Sequence, residues 1–596
     1  MASSPHPRQA LAKPGAFEGA GLYDGLSPPY AARSSGVQLA TERDLETVPN
    51  DLASTRHESE PDEEPPVTRA TGQSAPTRWF AWIVRHPHVI ALSLLSLSVA
   101  ALYVLIGFVE HMGYRTALLD LGIYDQATRA YADLRLPRVP LFGIRTPTDL
   151  GLLHWTDHFT PILAIVAPFY WLHDGPETLL VVHGLLFALA VPAIWLFARR
   201  ALGTPSAYLT AAGFALFWPL QHAVFIPFHQ VAFAVPLLAW MLERYQVGAL
   251  RQASVLAALL LLVREDLGLV LSVFGLLVAL RGERRLGAGL AVGGVVFVWL
   301  ATALIIPLMG GSPRRDWTYW HFGRNPVALA GAILKDPIAA MEYALTPDAK
   351  VHTLLWLLAP LLFLSLRSRL VLLAVPLLAI RMLSNEPNYW STEFHYNAFV
   401  APILVCAAVD AASRLRSVSL PAVGSFRLGV LLPIALCLID LLSLHRWPLS
   451  RMARSAWWHP RTTDVRNARL ALQQVPRGAL VASANTLGIH LTRWAKVTLW
   501  VPPGDRREVE AVWKLEGIHW RYVGDRKLAE APWVVADIER IQFPFASVSD
   551  QKKAVRDLVQ SGYRIVHNYG GFVVLHRKAS GRVASRAVAM EPSSNL

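Results

Sequence analysis

Cysteine is nearly absent. The chain has two in 596 residues, Cys406 and Cys437, and both lie inside apolar runs. No disulfide framework can organise such a chain, and a thiolate nucleophile is not expected. Charge is also scarce, at 17% of residues against roughly 25% in average soluble proteins. Three motifs are missing as well. Without a GxxxxGK[ST] phosphate loop there is no ATP motor for transport, and without GxSxG or HExxH two common hydrolytic designs drop out. The net charge of +13 does not imply nucleic acid, because the arginines gather at the ends of apolar runs, where the positive-inside rule and anionic headgroups place them.

What the chain has in quantity is apolar sequence, 53% of all residues, parcelled into runs of membrane-core length separated by short basic loops. Crossing a bilayer takes about 20 apolar residues. Residues 1–78 are polar, with an acidic cluster at Glu58, Glu60, Asp62, Glu63 and Glu64, and read as a disordered cytoplasmic tail. Arg78 and Arg85 precede the first run, about Val89 to Val109, which is expected to stay as a signal anchor with its N-terminus in the cytoplasm.

Further spans fall near 177–198, 205–222, 230–245, 250–264, 266–280, 286–308, 353–365, 370–383, 396–412 and 428–445. Basic clusters such as Arg199/Arg200 and Arg281/Arg284/Arg285 mark alternate connections. The expected fold is therefore mainly α, a polytopic membrane helix bundle of about eleven spans over residues 79–445 by hydropathy and charge bias. His158 to Leu172, short and holding two prolines, fits a re-entrant or interfacial segment better than a span. Residues 446–577 read as a small extracytoplasmic α/β soluble domain, with strands expected at Ala479–Ala482, Val497–Val501, Trp533–Ala536, Tyr563–Val566 and Phe572–Leu575. Residues 578–596 read as a frayed tail.

With that topology the polar residues collect on the outer face. LLDLGIYDQ, after the first span, carries Asp120 and Asp125. HWTDHFTP brings His154, Asp157 and His158; FIPFHQ brings His229, with His222 before it; LLVREDLGL brings Arg264, Glu265 and Asp266. The loop 310–352 adds Arg314, Arg315, Asp316 and His321, and SNEPNYWSTEFHYNAF adds Glu386, Glu393, His395 and Tyr396. Each has a plain alternative. Asp120 could cap a helix or pair with Arg115, yet ionisable groups near a bilayer tend to be functional. Asp125 reads more as its structural neighbour. Arg264–Glu265–Asp266 is costly between apolar runs unless paired or hydrated, so a solvated loop and a phosphate site both stand. His222 and His229 fit helix-end histidines. His154, Asp157 and His158 are metal ligands in type but lack a third placed ligand, which favours a structural reading. Tyr396 fits an interface belt.

Taken in order, LLDLGIYDQ, HFTP before APFYWL, PFHQ, RED between spans and FHY before another span resemble a family of predicted prokaryotic multi-spanning membrane proteins known as a domain of unknown function. ALVASANTLGIHLTR through VTLWVPP looks like that family's tail. The resemblance covers about residues 85–577, and it is the order of the motifs that carries it. The family in turn resembles the GT-C class of integral-membrane glycosyltransferases, in which an acid of the first outer loop activates the acceptor and the donor is usually a polyprenyl-phosphate sugar.

The resemblance implies Asp120 as that acid, with Asp125 competing because the chain lacks an adjacent Asp-Glu pair. It also implies a loop-supporting role for Asp157 and His158. Arg264, Glu265, Asp266, His229, His395 and Tyr396 would hold donor and phosphate. A lipid-linked sugar donor and membrane lipids are the expected partners, with no nucleic acid, and no cofactor or metal is required. The competing class is a non-catalytic transporter or flippase for a lipid or polysaccharide precursor, whose polar groups would line a path through the membrane.

Overall fold

The structure is a computed structural model that describes residues 85–142, 151–226, 228–311, 317–415, 417–420, 424–501 and 531–577. Both expected tails, and Arg314, Arg315 and Asp316, lie outside these residues.

Among the described residues four helices are long and apolar enough to cross a bilayer: Pro87–Met112, Pro176–Leu202, Arg284–Leu308 and His395–Leu415. A helix of 26 residues, the length of the first, rises about 39 Å, more than the roughly 30 Å of a hydrocarbon core. The first and third leave most of their surface open, with Leu94, Leu97, Val292 and Trp299 exposed. Apolar surface on that scale needs lipid rather than water against it. The second and fourth are largely enclosed.

The other apolar runs fold as shorter helices, including Thr204–Leu216, Trp218–Phe225, Ala234–Gln246, Leu250–Leu259, Gly268–Ala279, Val375–Met382 and Leu428–Leu442. The run expected near 205–222 divides at Phe217, whose extended backbone separates two helices. Pro219 sits in the first turn of the second, where its missing N–H costs nothing. His158–Leu172 holds only a 3-10 turn, Pro161–Val166, and a helical turn, Ala167–Tyr170. Ten residues of such backbone are too short to cross.

Gly268–Ala279 and Arg284–Leu300 form a tight antiparallel pair. A Cβ on Gly275 would lie 2.5 Å from the Gly287 carbonyl oxygen, and one on Gly287 would meet the Gly275 oxygen at 2.5 Å. Small residues permit this approach, which replaces the hydrophobic drive missing between helices in lipid.

Two antiparallel hairpins interrupt the helices: β1 (Arg138–Val139) with β2 (Leu152–Leu153), and β3 (Ser417–Leu420) with β4 (Gly424–Arg427). The C-terminal region builds a five-stranded sheet from β5 (Leu480–Ser483), β6 (Lys496–Leu499), β7 (Trp533–Asp537), β8 (Arg564–Tyr569) and β9 (Phe572–His576). Its order is β6-β5-β7-β9-β8, with β5 parallel to β6 and β7, and β9 antiparallel to β7 and β8. Val481, Val535 and Val574 are buried on its three central strands, and Val497 is buried on the edge strand β6. Thr462–Leu472 packs on β9 and Val548–Gln560 on β7. All five expected strands form.

The spanning helices place their polar ends together. His111, at the end of Pro87–Met112, lies 3.7 Å from Glu177, at the start of Pro176–Leu202. Ile306–Leu308, which closes the third helix, packs on His154–Thr156. His395, which opens the fourth, stacks on His229.

Candidate functional site

The first loop leaves Pro87–Met112 and turns sharply at Leu118–Gly122 before entering the helix Ile123–Ala132. Leu119 is extended, and Asp120 has φ 65 and ψ −83. A positive φ is unusual for a residue with a Cβ. It costs on the order of 1–3 kcal/mol and persists where surrounding structure fixes it. The Ile123 amide donates to the Asp120 carbonyl, closing the turn.

The two acids then have different surroundings. Asp125 is fully buried. Arg129 donates to both its oxygens, at 2.9 and 3.1 Å, and the Tyr170 hydroxyl donates at 2.8 Å. Arg129 also reaches Asp174 at 2.7 Å, so the whole set is internally paired. Asp120 is half-buried. Burial, and then the negative charge of Asp157, push its carboxyl up to about 6.

Arg264, Glu265 and Asp266 occupy a short turn between two apolar segments, and they point in different directions. Arg264 donates through Nε to Asp266 Oδ1 at 2.6 Å, with a second bond from Nη2 to Oδ2, and lies 5.4 Å over the Phe399 ring. Glu265 turns the other way. It accepts from the Phe159 amide at 3.1 Å and lies 2.8 Å from His158 Nδ1. Burial alone would lower the His158 pKa, but the Glu265 carboxylate and Asp157 more than reverse this and hold it up to about 9. Near neutral pH His158 is therefore an imidazolium paired with Glu265, as Arg264 is paired with Asp266.

His229 and His395 stack at 3.8 Å between ring centroids. Tyr396 lies 4.3 Å from His395 and 6.4 Å from His229. Burial first, and then the neighbouring His395 and Arg264, keep His229 well below the ordinary imidazole range. Its Nδ1 accepts from the Val231 amide at 3.4 Å. Among the described residues both ring nitrogens of His395 are buried without a hydrogen-bond partner, an arrangement that costs free energy.

Tyr124 links these groups to the first loop. It lies 5.3 Å from His229 and 5.4 Å from His154, and it feels the charges of Asp120 and Asp157. Asp120 also acts on Tyr396. One end of the bundle thus gathers Asp120, Asp157, His158, His229, Arg264, Glu265, Asp266, His395 and Tyr396 around Tyr124.

His222 stands apart, 3.2 Å from the Glu393 carbonyl and edge-on to Trp218 and Trp447. His321 stacks on Tyr343 at 4.2 Å. Among the described residues no group of three or more His, Cys, Asp or Glu is placed to hold a metal ion.

Two residues of this cluster were not singled out by the sequence. Tyr124 is one. The other is Arg381, which is buried and donates to the Tyr389 carbonyl at 2.6 Å and to Asn397 Oδ1 at 2.5 Å, fixing the turn that carries His395. An arginine inside an apolar run, LLAIRMLS, is the signal that could have found it.

A family model described as a predicted membrane protein of unknown function, DUF2079, matches residues 111–574. The chain belongs to that family. As a family member it matches no curated protein. Solved structures that resemble it include two of ArnT from Cupriavidus metallidurans. The form bound to undecaprenyl phosphate has 14% identity and a TM-score of 0.44, and the match covers 83% of this chain and 99% of that one. The apo form gives the same identity and TM-score, covering 84% and 98%.

Proposed function

We propose that this protein is an integral-membrane glycosyltransferase that moves a sugar from a polyprenyl-phosphate donor to an acceptor hydroxyl. The observation that carries the reading is Asp120, an acid in strained backbone, partly buried, with its pKa pushed up to about 6 by burial and by Asp157, whose charge also acts on His158. Near neutral pH such a group is an anion poised to take a proton. The acceptor oxygen attacks the anomeric carbon and its proton passes to the Asp120 carboxylate. The bond from that carbon to the phosphate oxygen breaks, and polyprenyl phosphate leaves with the electron pair.

Arg264, held at Nε and Nη2 by Asp266, turns its remaining Nη1 and its charge to the leaving phosphate. His158, held charged by Glu265, adds positive potential, while His229, His395, Tyr396 and Asp266 orient the donor. Asp157 keeps Asp120 basic enough to act. Asp125 is the weaker choice of base, because Arg129 and Tyr170 occupy its oxygens. Positioning and charge stabilisation supply most of the rate.

The topology in this reading has about eleven spans by charge bias, a cytoplasmic N-terminus, and the cluster and sheet region on the outer side of the cell membrane. The lipid-linked partner proposed is a polyprenyl phosphate, the class to which the undecaprenyl phosphate bound in one ArnT structure belongs. The gathering of polar groups at one end of the bundle, rather than along a path through it, favours a transferase over a carrier.

The deciding experiment is Asp120→Asn in native membranes supplied with polyprenyl-phosphate sugars, with product detected by mass spectrometry. Transfer is abolished while membrane insertion stays intact. Turnover at the wild-type rate would remove Asp120 from the mechanism.

A further inference from the structure

The strained turn at Asp120 is not held by the membrane helices alone. The amide of Leu119, the residue just before Asp120, donates to Asn485 Oδ1 at 3.0 Å. Asn485 opens the short helical turn Asn485–Gly488 between β5 and β6. Leu118, fully buried, is wedged between two glycines. A Cβ on Gly122 would lie 2.5 Å from one of its methyl carbons, and a Cβ on Gly488 would lie 2.6 Å from the other.

Beyond the turn, Gln126 Nε2 donates to the Val497 carbonyl at 3.1 Å and Arg129 Nη1 to the Thr492 carbonyl at 2.9 Å. Residues 485–497 therefore grip the first loop on both sides of Asp120. The Asn485 side chain thus bonds the backbone directly beside the strained residue. Backbone in a sparsely populated conformation stays there only when its surroundings over-determine it.

We infer that Asn485 is a positioning residue for the transfer reaction, holding the Leu119–Asp120 backbone so that the Asp120 carboxylate meets the acceptor, and that the sheet region is thereby a working part of the site. This rests on the reading of Asp120 as the base. Loss of the bond relaxes the turn and lets Asp120 swing toward solvent. A misplacement of about 1 Å at a reacting group costs on the order of 100-fold in rate.

The test uses the full chain in lipid nanodiscs. In Asn485→Ala, hydrogen exchange in peptides covering 113–133 speeds up while peptides of the sheet stay unchanged. In the transfer assay kcat falls by about 10- to 100-fold with the donor KM unmoved. The acidic limb of the pH–rate profile shifts downward as Asp120 loses its burial. Asn485→Asp, whose carboxylate keeps an acceptor for the Leu119 amide, recovers most of kcat. A wild-type kcat and wild-type exchange in Asn485→Ala would overturn the assignment, as would a fall in kcat that Asn485→Asp does not relieve.

Should the wild-type protein transfer no sugar, the transferase reading fails. The exchange experiment then judges the grip by itself, with faster exchange confined to 113–133 supporting it and unchanged exchange refuting it. If Asn485→Ala does not accumulate, Asn485→Gln, which displaces the amide by one methylene, is read against the same outcomes.

Discussion

Asp120 and Asp125 show how two carboxylates one helical turn apart acquire different chemistry from their neighbours. Asp125 is buried against a bidentate arginine, so Arg129→Ala leaves an uncompensated charge in the interior. That change costs about 3–5 kcal/mol, read as a large fall in thermal midpoint in detergent. Asp120 is pushed up to about 6, and the proposed reaction requires its base form. The transfer rate is therefore flat above that pH and declines by about tenfold per unit well below it. Asp157→Asn removes a charge that helps raise this pKa, so the same limb moves to lower pH, which a pH–rate profile resolves.

His158 gives a stability test of opposite sign. Its folded pKa, near 9, exceeds the ordinary value of 6.5. Its contribution to stability is fully present below pH 6.5 and is lost as pH rises through 9. Thermal midpoints measured from pH 6.5 to 9 decline in the wild type, and the decline is smaller in Glu265→Gln.

Among the elements, those with a strong local period were legible in the sequence. The five strands of the sheet form where short runs rich in β-branched residues lie between turns, and four of them are buried along most of their length. The short, proline-bearing run after His158 is also recognisably not a span. The broken helix at Phe217 and the turn at Asp120 were not legible. The first depends on how Trp218 packs against distant Trp447, a stacked pair 5.1 Å apart, and the second on contacts from the far end of the chain. Tyr124 was invisible for the same reason, since nothing in IYDQ distinguishes a tyrosine that links two clusters from one that faces lipid. The glycine-lined pair of helices offers a test at this scale. Gly275→Leu drives a side chain into the Gly287 backbone and lowers stability by about 1–3 kcal/mol, measured by thermal unfolding in micelles.

For the whole molecule, the four long helices alternate in direction and bring the ends at Met112, Pro176, Leu308 and His395 to one side. The proposed orientation then has a direct check, since both native cysteines lie in apolar helices, Cys406 buried and Cys437 partly so. In intact cells Ser561→Cys, on the sheet region, reacts with an impermeant maleimide, whereas Arg85→Cys reacts only after the membrane is opened. Labelling in the reverse pattern would place the acid cluster in the cytoplasm and remove the proposed access of an outer-leaflet donor.

The bond between Leu119 and Asn485 joins residues 366 apart in the chain. During synthesis the ribosome delivers the early loop long before it delivers the segment that shapes it. A nascent polypeptide can thus have its first helices threaded into the bilayer while Asp120 still samples many orientations. The geometry arrives only when the last fifth of the protein has been made and folded, so a product truncated before Asn485 occupies the membrane without the bond that shapes its first loop.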